Sequence, residues 1–378
     1  MCGRAILSSR NSLCTLLVAA LLLGGAAFAQ EGGIHAEFAG GGARALAMGG
    51  AFIGLADDAT ASEFNPAGLW QLRRPELALQ IMAANDEHTP GRRIRGEMGS
   101  DYSFDNEMDR YWIPSFISYV HPTRHVTFAI SEFTNVDFDR DSRDPSTGAR
   151  THERARNYAF GLSAATAVWR RLSVGATLRY NTFQFDWNGP GVHGRFRDGA
   201  VSGNLGLLWR PRRWFSIGAV YKSAQKLTGT YHLGSEDLSV DTELPHTLGM
   251  GIALSPNDNW RIVLDVDRID WSSFDPNPHD DFVRDDAWRY HAGLEWYAGR
   301  WRDSAFFLRC GGFHEDPNVF RYTGRVSGLR TLTNSRREGR THLSAGLGVA
   351  RPGGQLDAGV DVTLEHGYNL IFSSVWYF

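Results

Sequence analysis

Residues 172–181 read LSVGATLRYN, and apolar and polar side chains alternate at every step. The same alternation runs through residues 260–267, 288–296 and 356–365. A period of two is typical of a β-strand with one apolar and one polar face. From about Pro75 onward the chain repeats this unit, followed each time by a turn. Two folds suit the pattern: a soluble sandwich with an apolar core, and an outer-membrane barrel whose apolar face meets lipid.

Strand length and the order of the connections favour the barrel. Many alternating segments exceed the roughly 5–6 residues usual in soluble sheets and match the roughly 9–11 that cross a bilayer at a tilt. Six short connections lie near 122–124, 170–171, 210–213, 256–259, 299–303 and 351–355. Seven other connections alternate with them, near 85–110, 136–151, 188–193, 231–238, 273–285, 315–338 and 366–367. We therefore predict an all-β fold, a transmembrane antiparallel barrel of about fourteen strands with its short turns in the periplasm.

Aromatic residues are placed as this barrel requires. Five tryptophans flank the short turns, as an aromatic girdle at the inner interface would: Trp169, Trp209, Trp214, Trp260 and Trp301. The last strand carries Trp376 on an aromatic face and ends in Phe378. Such a strand resembles the assembly signal read by the outer-membrane insertion machinery, which we expect to be a partner.

The start of the chain predicts export. Arg4 and Arg10 precede an apolar run, and Ala27-Phe28-Ala29 is a small-residue cleavage site, so residues 1–29 are expected to be a signal peptide. The formal net charge of −3 becomes −5 without these two arginines, which indicates no nucleic-acid partner. Cys310 then remains alone, which excludes an intramolecular disulfide and a cysteine-based metal site. No metal and no cofactor are predicted.

Residues 30–74 do not alternate and are rich in glycine and alanine. Eight strands enclose a lumen that side chains fill, whereas sixteen leave a channel, so fourteen should leave a gap that a compact segment can fill. We therefore predict that residues 30–74 form a hatch inside the lumen of a barrel made by residues 75–378. A periplasmic tail is the alternative.

The run from Gly42 to Leu69, which ends in Asn65-Pro66-Ala67, resembles the hatch of the FadL/TodX superfamily of outer-membrane hydrophobic-compound transporters. It is equally similar to related barrels that act as type IX secretion shuttle proteins. The resemblance implies passive uptake of hydrophobic molecules, with sideways exit into the membrane. It also implies that Asn65, Pro66 and Ala67 fix the hatch conformation, with Asn65 hydrogen-bonded inside the barrel. Gly49, Gly50, Asp57 and Asp58 fall within the same run.

The sequence departs from the long-chain fatty-acid transporters of that superfamily in its loops. Those transporters carry a helical hairpin in two long outer loops, but the connections near 188–193 and 231–238 are short here. A strand kink usually opens such a barrel sideways, because it breaks the ladder. Pro114 in the second strand is the candidate, since proline removes a ladder donor.

Charged residues on the polar strand faces are candidate lumen residues. Asp57 and Asp58 suit either acid–base work or, as we prefer, hydrogen bonds to hatch amides. The lumen candidates, expected to form a charge ladder or ordinary ion pairs, are Arg179, Arg261, Asp265, Asp267, Arg289, Asp357, Asp361 and Glu365. No residue is marked as a nucleophile, so we predict no enzyme.

The predicted function is an outer-membrane channel for passive uptake of long-chain fatty acids or aromatic hydrocarbons. Its expected surroundings are outer-membrane lipid and a hydrophobic small-molecule substrate, in a Gram-negative-type bacterium, with the protein as a monomer. The alternative is a secretion-associated shuttle or structural barrel that binds exported proteins. An apolar lumen pocket above Asn65-Pro66-Ala67 and an opening in the wall would favour transport.

Overall fold

The computed structural model describes most of the chain beyond residue 40. The described residues are 41–85, 94–95, 101–102, 105–108, 111–143, 150–273, 282–283, 285–317, 321–323, 339–364 and 368–378. Among them, no helix has the length and hydropathy needed to cross a membrane. The predicted signal peptide, the start of the predicted hatch and Glu365 lie outside the described residues.

Antiparallel strands form one closed barrel with fourteen crossings, which confirms the predicted fold. Eleven crossings are single strands: β1 (Glu76–Asn85), β6 (Thr127–Arg143), β7 (Arg150–Trp169), β8 (Leu172–Gly189), β9 (Val192–Arg212), β14 (Trp260–Ile269), β16 (Ala287–Trp301), β17 (Ser304–Glu315), β19 (Arg340–Arg351), β20 (Gly354–Thr363) and β21 (Tyr368–Tyr377). Three crossings are interrupted: β4 (Asp105–Met108) with β5 (Tyr111–Pro122), β10 (Phe215–Lys222) with β11 (Gln225–Leu233), and β12 (Glu236–Leu244) with β13 (Thr247–Asn257). Pairing of β1 with both β21 and β5 closes the cylinder.

Four two-residue strands lie outside the barrel wall. They are β2 (Ile94–Arg95), β3 (Asp101–Tyr102), β15 (Phe282–Val283) and β18 (Arg321–Tyr322). β2 pairs with β3, and β15 pairs with β18. β2 and β3 fall within the predicted connection 85–110, β15 falls within 273–285, and β18 falls within 315–338.

The connections differ between the two ends of the barrel. One end, here called the turn end, carries six short turns such as 170–171 and 302–303 between consecutive strands. Residue 76, where β1 begins, and the chain end at Phe378 lie at this same end, because Phe378 N donates to Pro75 O at 3.0 Å. The opposite end, here called the loop end, carries the other seven connections. Two of these, at residues 190–191 and 234–235, are tight hairpin turns.

The apolar face of each strand points outward. On β8, Leu178 and Tyr180 are 61% and 52% exposed, whereas Thr177 before them and Asn181 after them are buried. The same holds on β16, where Trp288 and Tyr290 are exposed and Arg289 and His291 are buried. The interior is therefore polar and the outer surface apolar, which is the arrangement of a membrane barrel and the reverse of a soluble sandwich.

Residues 41–74, here called the N-terminal segment, lie inside this barrel. The segment contains α1 (Ala43–Ala47), α2 (Ala61–Phe64) and a 3-10 helix (Pro66–Gln71). Between α1 and α2 the chain turns repeatedly, with positive φ at Gly49, Gly50 and Ala56. Almost every residue from Gly42 to Leu69 is buried or half-buried, so the segment fills the lumen that fourteen strands would otherwise leave open.

Candidate functional site

Glycines of the barrel wall allow the N-terminal segment to lie directly on the strand backbones. Gly218 of β10 faces the backbone of Ile53, and a β-carbon at Gly251 of β13 would lie 2.7 Å from Gly54 N. Gly311 of β17 faces Met48 and Gly49 in the same way. A side chain at these wall positions would overlap backbone atoms that have no freedom to move. The wall and the segment are therefore fitted to each other at atomic distance.

Asn65 ties two turns of the segment to the wall. Its Nδ2 donates to Ile53 O at 3.0 Å and to Leu207 O of β9 at 3.1 Å, while its Oδ1 accepts from Ala67 N at 3.2 Å. Pro66 then begins the 3-10 helix, where its missing N–H costs nothing. Ser173 of β8 donates to Ala67 O at 2.9 Å. The structure thus places Asn65, Pro66 and Ala67 against β8 and β9.

Wall side chains also satisfy the backbone between α1 and α2. Asp265 of β14 accepts from Phe52 N and from Ile53 N, the latter at 2.7 Å. His291 Nδ1 donates to Gly49 O at 2.7 Å, and Ser344 Oγ accepts from Gly49 N at 2.9 Å. These bonds replace the water that a non-helical buried backbone would otherwise need.

A network of buried charges joins the segment to β14, β16, β17 and β20. Arg44 of α1 donates to Asp57 at 2.7 Å, Asp58 at 3.1 Å and Glu295 of β16 at 2.9 Å. Glu295 also accepts from Arg261 at 2.7 Å and Arg309 at 2.7 Å. Arg309 also donates to Asp357 at 2.7 Å. We call these seven side chains the central network.

Neighbouring charges set the ionisation of the aspartates in the segment. Burial opposes ionisation of Asp57, but Arg44 and Arg261 outweigh it and lower its pKa. Burial raises the pKa of Asp58, and the charge of Asp57 adds to the rise although Arg44 opposes it. Burial likewise opposes ionisation of Glu63 in α2, but Arg179 and Lys222 lower its pKa. Asp57 is therefore held as an anion by Arg44 of the segment and Arg261 of the wall, and Glu63 by Arg179 and Lys222 of the wall.

A cavity lies between the segment and the wall on the side of the loop end. Its volume is about 50 Å³, so it is a small cavity. Its apolar lining comes from Leu46, Ile53, Phe64 and Phe133. Its charged lining comes from Glu63, Lys222, Asp267, Arg289 and His291. The cavity is therefore amphipathic, with an apolar side and a charged side.

The charged lining of the cavity is arranged in pairs. Lys222 Nζ lies 2.8 Å from Glu63, which Arg179 also contacts. Arg289 lies 3.4 Å and His291 Nε2 lies 3.3 Å from Asp267. Paired charges tolerate burial far better than isolated ones, so the charged half of the cavity is compensated internally.

The barrel wall is broken beside this cavity, between β5 and β6. Their ladder runs from Pro122–Thr127 to Phe116–Phe133 and stops there. Beyond that point Ser115 is a bulge against β1, and Asn135 is a bulge against β7. Pro114 has no N–H to donate, and its carbonyl accepts from Thr134 Oγ1 at 3.0 Å. Phe133, the last residue of β6 that pairs with β5, also lines the cavity.

The structure arranges the predicted lumen charges in separate groups of ion pairs. Arg261 and Asp357 belong to the central network, whereas Arg289 pairs with Asp267. Asp361 pairs with His342 at 2.8 Å. Each charge is paired with a near neighbour, and the packed N-terminal segment lies between the groups.

The two aspartates of the segment have different partners. Asp58 accepts from Thr60 N at 2.9 Å, as expected of a residue that bonds backbone amides. The interpretation of Asp57 as an amide acceptor is wrong, because its carboxylate lies between Arg44 and Arg261. The Asp57 side chain is partly buried, and a guanidinium gives its carboxylate a charge-assisted hydrogen bond, which is stronger than a bond from a neutral amide.

Sequence reasoning missed several residues of the site. Arg44, Glu63, Glu295 and Arg309 join elements up to 251 residues apart, and no local pattern marks them. The single available signal was an inward, polar strand position for Glu295 and Arg309. Within the described residues, no cluster of three or more metal-ligating side chains occurs.

Comparison with known proteins gives no match in sequence. No protein-family model matches the chain, and no curated protein is significantly similar to it.

Solved structures with this architecture do exist. The Ralstonia pickettii toluene transporter TbuX matches with a TM-score of 0.64 at 18% identity, over 90% of this chain and 98% of that chain. The CymD monoaromatic hydrocarbon channel matches with a TM-score of 0.63 at 17% identity, over the same shares. A Pseudomonas aeruginosa FadL homologue matches with a TM-score of 0.63 at 14% identity, over 90% of this chain and 98% of that chain. The chain therefore shares the barrel fold of these solved structures.

Proposed function

We propose that the protein is an outer-membrane channel for passive uptake of hydrophobic compounds, which leave the lumen sideways between β5 and β6. The observation that carries this proposal is the position of the cavity beside the break in the wall. Phe133 belongs to both, since it lines the cavity and ends the β5–β6 ladder. A molecule in the cavity is thus one side chain away from the gap.

The outer surface supports the membrane placement. Outward residues such as Leu178, Leu264 and Leu347 are apolar and exposed on strands around the barrel. The girdle tryptophans beside the turns are exposed as well, from 38% at Trp260 to 68% at Trp169. An apolar band bordered by aromatic side chains suits lipid contact. The turn end then faces the periplasm, and Trp376 and Phe378 at that end stay our candidates for the assembly signal.

The N-terminal segment acts in this proposal as a hatch that blocks straight passage to the periplasm. Its glycine-mediated contacts hold it directly against the strands that line the lumen. A substrate enters from the loop end, occupies the cavity and meets the hatch. The gap between β5 and β6 then gives it direct access to lipid, so its partition into the membrane drives uptake without an energy source.

The cavity suits a monoaromatic hydrocarbon better than a long fatty acid. Leu46, Ile53, Phe64 and Phe133 offer a short apolar surface, and Phe64 packs on Phe52 with ring centroids 5.3 Å apart. The compensated ion pairs opposite leave little attraction for a carboxylate. Two of the matched structures are a toluene transporter and a monoaromatic hydrocarbon channel, which supports the same substrate class.

Uptake measurements test the proposal. Labelled toluene and a labelled long-chain fatty acid are supplied at low concentration to cells with the gene, cells with a deletion and deletion cells with a rescue copy. We expect deletion to lower toluene uptake severalfold, rescue to restore it, and fatty-acid uptake to change less. Unchanged uptake of both compounds, in a strain without a second barrel of this fold, would contradict the proposal and favour a secretion-associated role.

A further inference from the structure

Arginines are concentrated at the turn end of the barrel. The short turns, their flanking strand ends and the end of the N-terminal segment contain eleven: Arg73, Arg74, Arg124, Arg170, Arg171, Arg210, Arg212, Arg213, Arg300, Arg302 and Arg351. All eleven are exposed, and we call them the arginine rim. The same described stretches contain two exposed acidic residues, Asp258 and Asp303. The chain as a whole has a net charge of −3, so the rim is a local reversal of sign.

The rim surrounds the barrel instead of forming a patch on one side. Five of the six turns contribute to it, and the turn at Asp258 is the exception. Arg73 and Arg74 add charge where the N-terminal segment leaves the lumen, and Arg74 packs over the Tyr377 ring at 3.6 Å. A single docked protein would contact one side of such a ring. A layer of small anionic groups around the whole barrel would contact all of it.

The rim lies next to the tryptophan girdle, at the level of lipid headgroups. Trp169 precedes Arg170 in the chain, Trp214 follows Arg213, and Trp301 lies between Arg300 and Arg302. Exposed tryptophans mark the boundary between hydrocarbon and headgroups. Arginine side chains at that boundary extend into the headgroup layer, where their forked donors match phosphate oxygens.

Internal contacts leave much of the rim's donor capacity for a ligand. Arg300 lies 3.9 Å from Asp303 and donates to Arg302 O at 3.0 Å, and Arg351 donates to Ser304 at 2.9 Å. Most other contacts of rim arginines are with backbone carbonyls, an amide or aromatic rings, which do not neutralise charge. Eleven cations against two carboxylates therefore leave a strong positive field at the turn end.

We infer that the arginine rim binds the phosphate groups of anionic phospholipid, phosphatidylglycerol in particular, in the periplasmic leaflet of the outer membrane. This inference rests on the membrane placement in the proposed function and is independent of the transported compound. Each rim arginine replaces part of a headgroup's counterion layer, so binding is additive around the ring and weakens with salt. The rim fixes the height of the barrel and surrounds it with anionic lipid.

Lipid titration of the purified, detergent-solubilised protein tests the inference. Short-chain phosphatidylglycerol and phosphatidylcholine of the same chain length are added separately, and binding is followed by the fluorescence of the girdle tryptophans. We expect the wild-type protein to bind phosphatidylglycerol at least tenfold more tightly than phosphatidylcholine at low salt, and less selectively at 0.5 M salt. Equal binding of the two lipids would overturn the inference.

Two quadruple variants separate the rim from overall charge. The rim variant carries Arg170→Gln, Arg171→Gln, Arg212→Gln and Arg213→Gln. Its control, with the same loss of charge, carries Arg154→Gln, Arg156→Gln, Arg195→Gln and Arg197→Gln near the loop end. Folding of both is checked by the heat-dependent shift in gel mobility. We expect at least a threefold loss of phosphatidylglycerol selectivity in the rim variant and none in the control, and an equal loss in both would contradict the inference.

Two further measurements distinguish lipid from free phosphate and the rim inference from the proposed function. Inorganic phosphate near 1 mM should not displace the lipid, and displacement would indicate a free-anion site instead. The titration needs no transport, so normal lipid selectivity in a protein that fails the uptake assay would reject the proposed function alone. Normal uptake with no lipid selectivity would reject the rim inference alone.

Discussion

Two stretches of the barrel wall meet the N-terminal segment in opposite ways. On β16, β17, β19 and β20 the segment lies on glycines, and Arg44 is held by Glu295. On β5 and β6, residues 111–143 contain no glycine, and the segment meets bulky side chains such as Phe116 and Phe133. We call these stretches the sealed side and the open side. The segment is attached to the sealed side and also to β8, β9, β10, β13 and β14, which leaves the open side to carry a gap.

The comparison also explains why the gap does not unfold the barrel. Bulges at Ser115 and Asn135 leave ladder groups without strand partners, which is costly in an apolar surrounding. Thr134 recovers one of these groups by donating to Pro114 O, and Gln80 Nε2 donates to Ser115 Oγ at 2.7 Å. A side chain thus satisfies one backbone group that the ladder leaves without a partner.

Breaking the central network, which lies on the sealed side, should lower the free energy of unfolding more than any other change proposed here. Glu295→Gln leaves Arg44, Arg261 and Arg309 buried around a neutral amide, and breaking a buried pair costs about 3–5 kcal/mol. We expect the free energy of unfolding, measured by denaturant titration in detergent micelles, to fall by about that amount. Glu236→Gln, at an exposed position beside the turn at 234–235, is the control. A loss below about 1 kcal/mol would show that the network does not hold the segment.

A side chain added where the segment lies against the wall backbone should give the next largest loss of stability. A β-carbon at Gly218 overlaps the carbonyl of Ile53, so Gly218→Ala pushes the segment off the wall. Overpacking of this kind costs about 1–3 kcal/mol. We expect lower stability and a larger single-channel conductance in planar bilayers.

Gly353→Ala is the matched control for this substitution, because no atom lies within 4 Å of its added β-carbon. It should leave both measurements unchanged. Wild-type conductance in Gly218→Ala would mean that the segment adjusts without opening the lumen.

Acid should weaken the attachment of α2, and this loss of stability should be the smallest of the three. Burial opposes ionisation of Glu63, but Arg179 and Lys222 keep its pKa below the usual value. A lowered carboxyl pKa stabilises the folded state above the unfolded pKa of about 4.3, and this contribution is lost as the pH falls through the folded value. The stability difference between wild type and Glu63→Gln should therefore be largest at neutral pH and shrink below about pH 4. A difference that does not change with pH would exclude the charge of Glu63 as its source.

Most of the fold could be predicted from the sequence because its signals are local. Alternation in 172–181 and the tryptophans beside the turns each depend on neighbouring residues. Pro114 also marked the open side, since a missing donor is visible in one residue. The partner bulge at Asn135 could not be predicted, because it depends on the register against β7. Arg44 and Glu295 meet across 251 residues, and only the folded lumen shows that they pair.

Uptake through a wall whose break has been repaired tests the central claim most directly. Pro114→Val combined with deletion of Ser115 restores a donor and removes a bulge, so β5 and β6 can pair past Phe133. Pro122→Val, at the turn end of the same strand, is the control, and surface levels of both variants are matched. We predict that the repaired barrel loses most toluene uptake while the control retains it. Full uptake through a folded, repaired barrel would contradict lateral exit between β5 and β6.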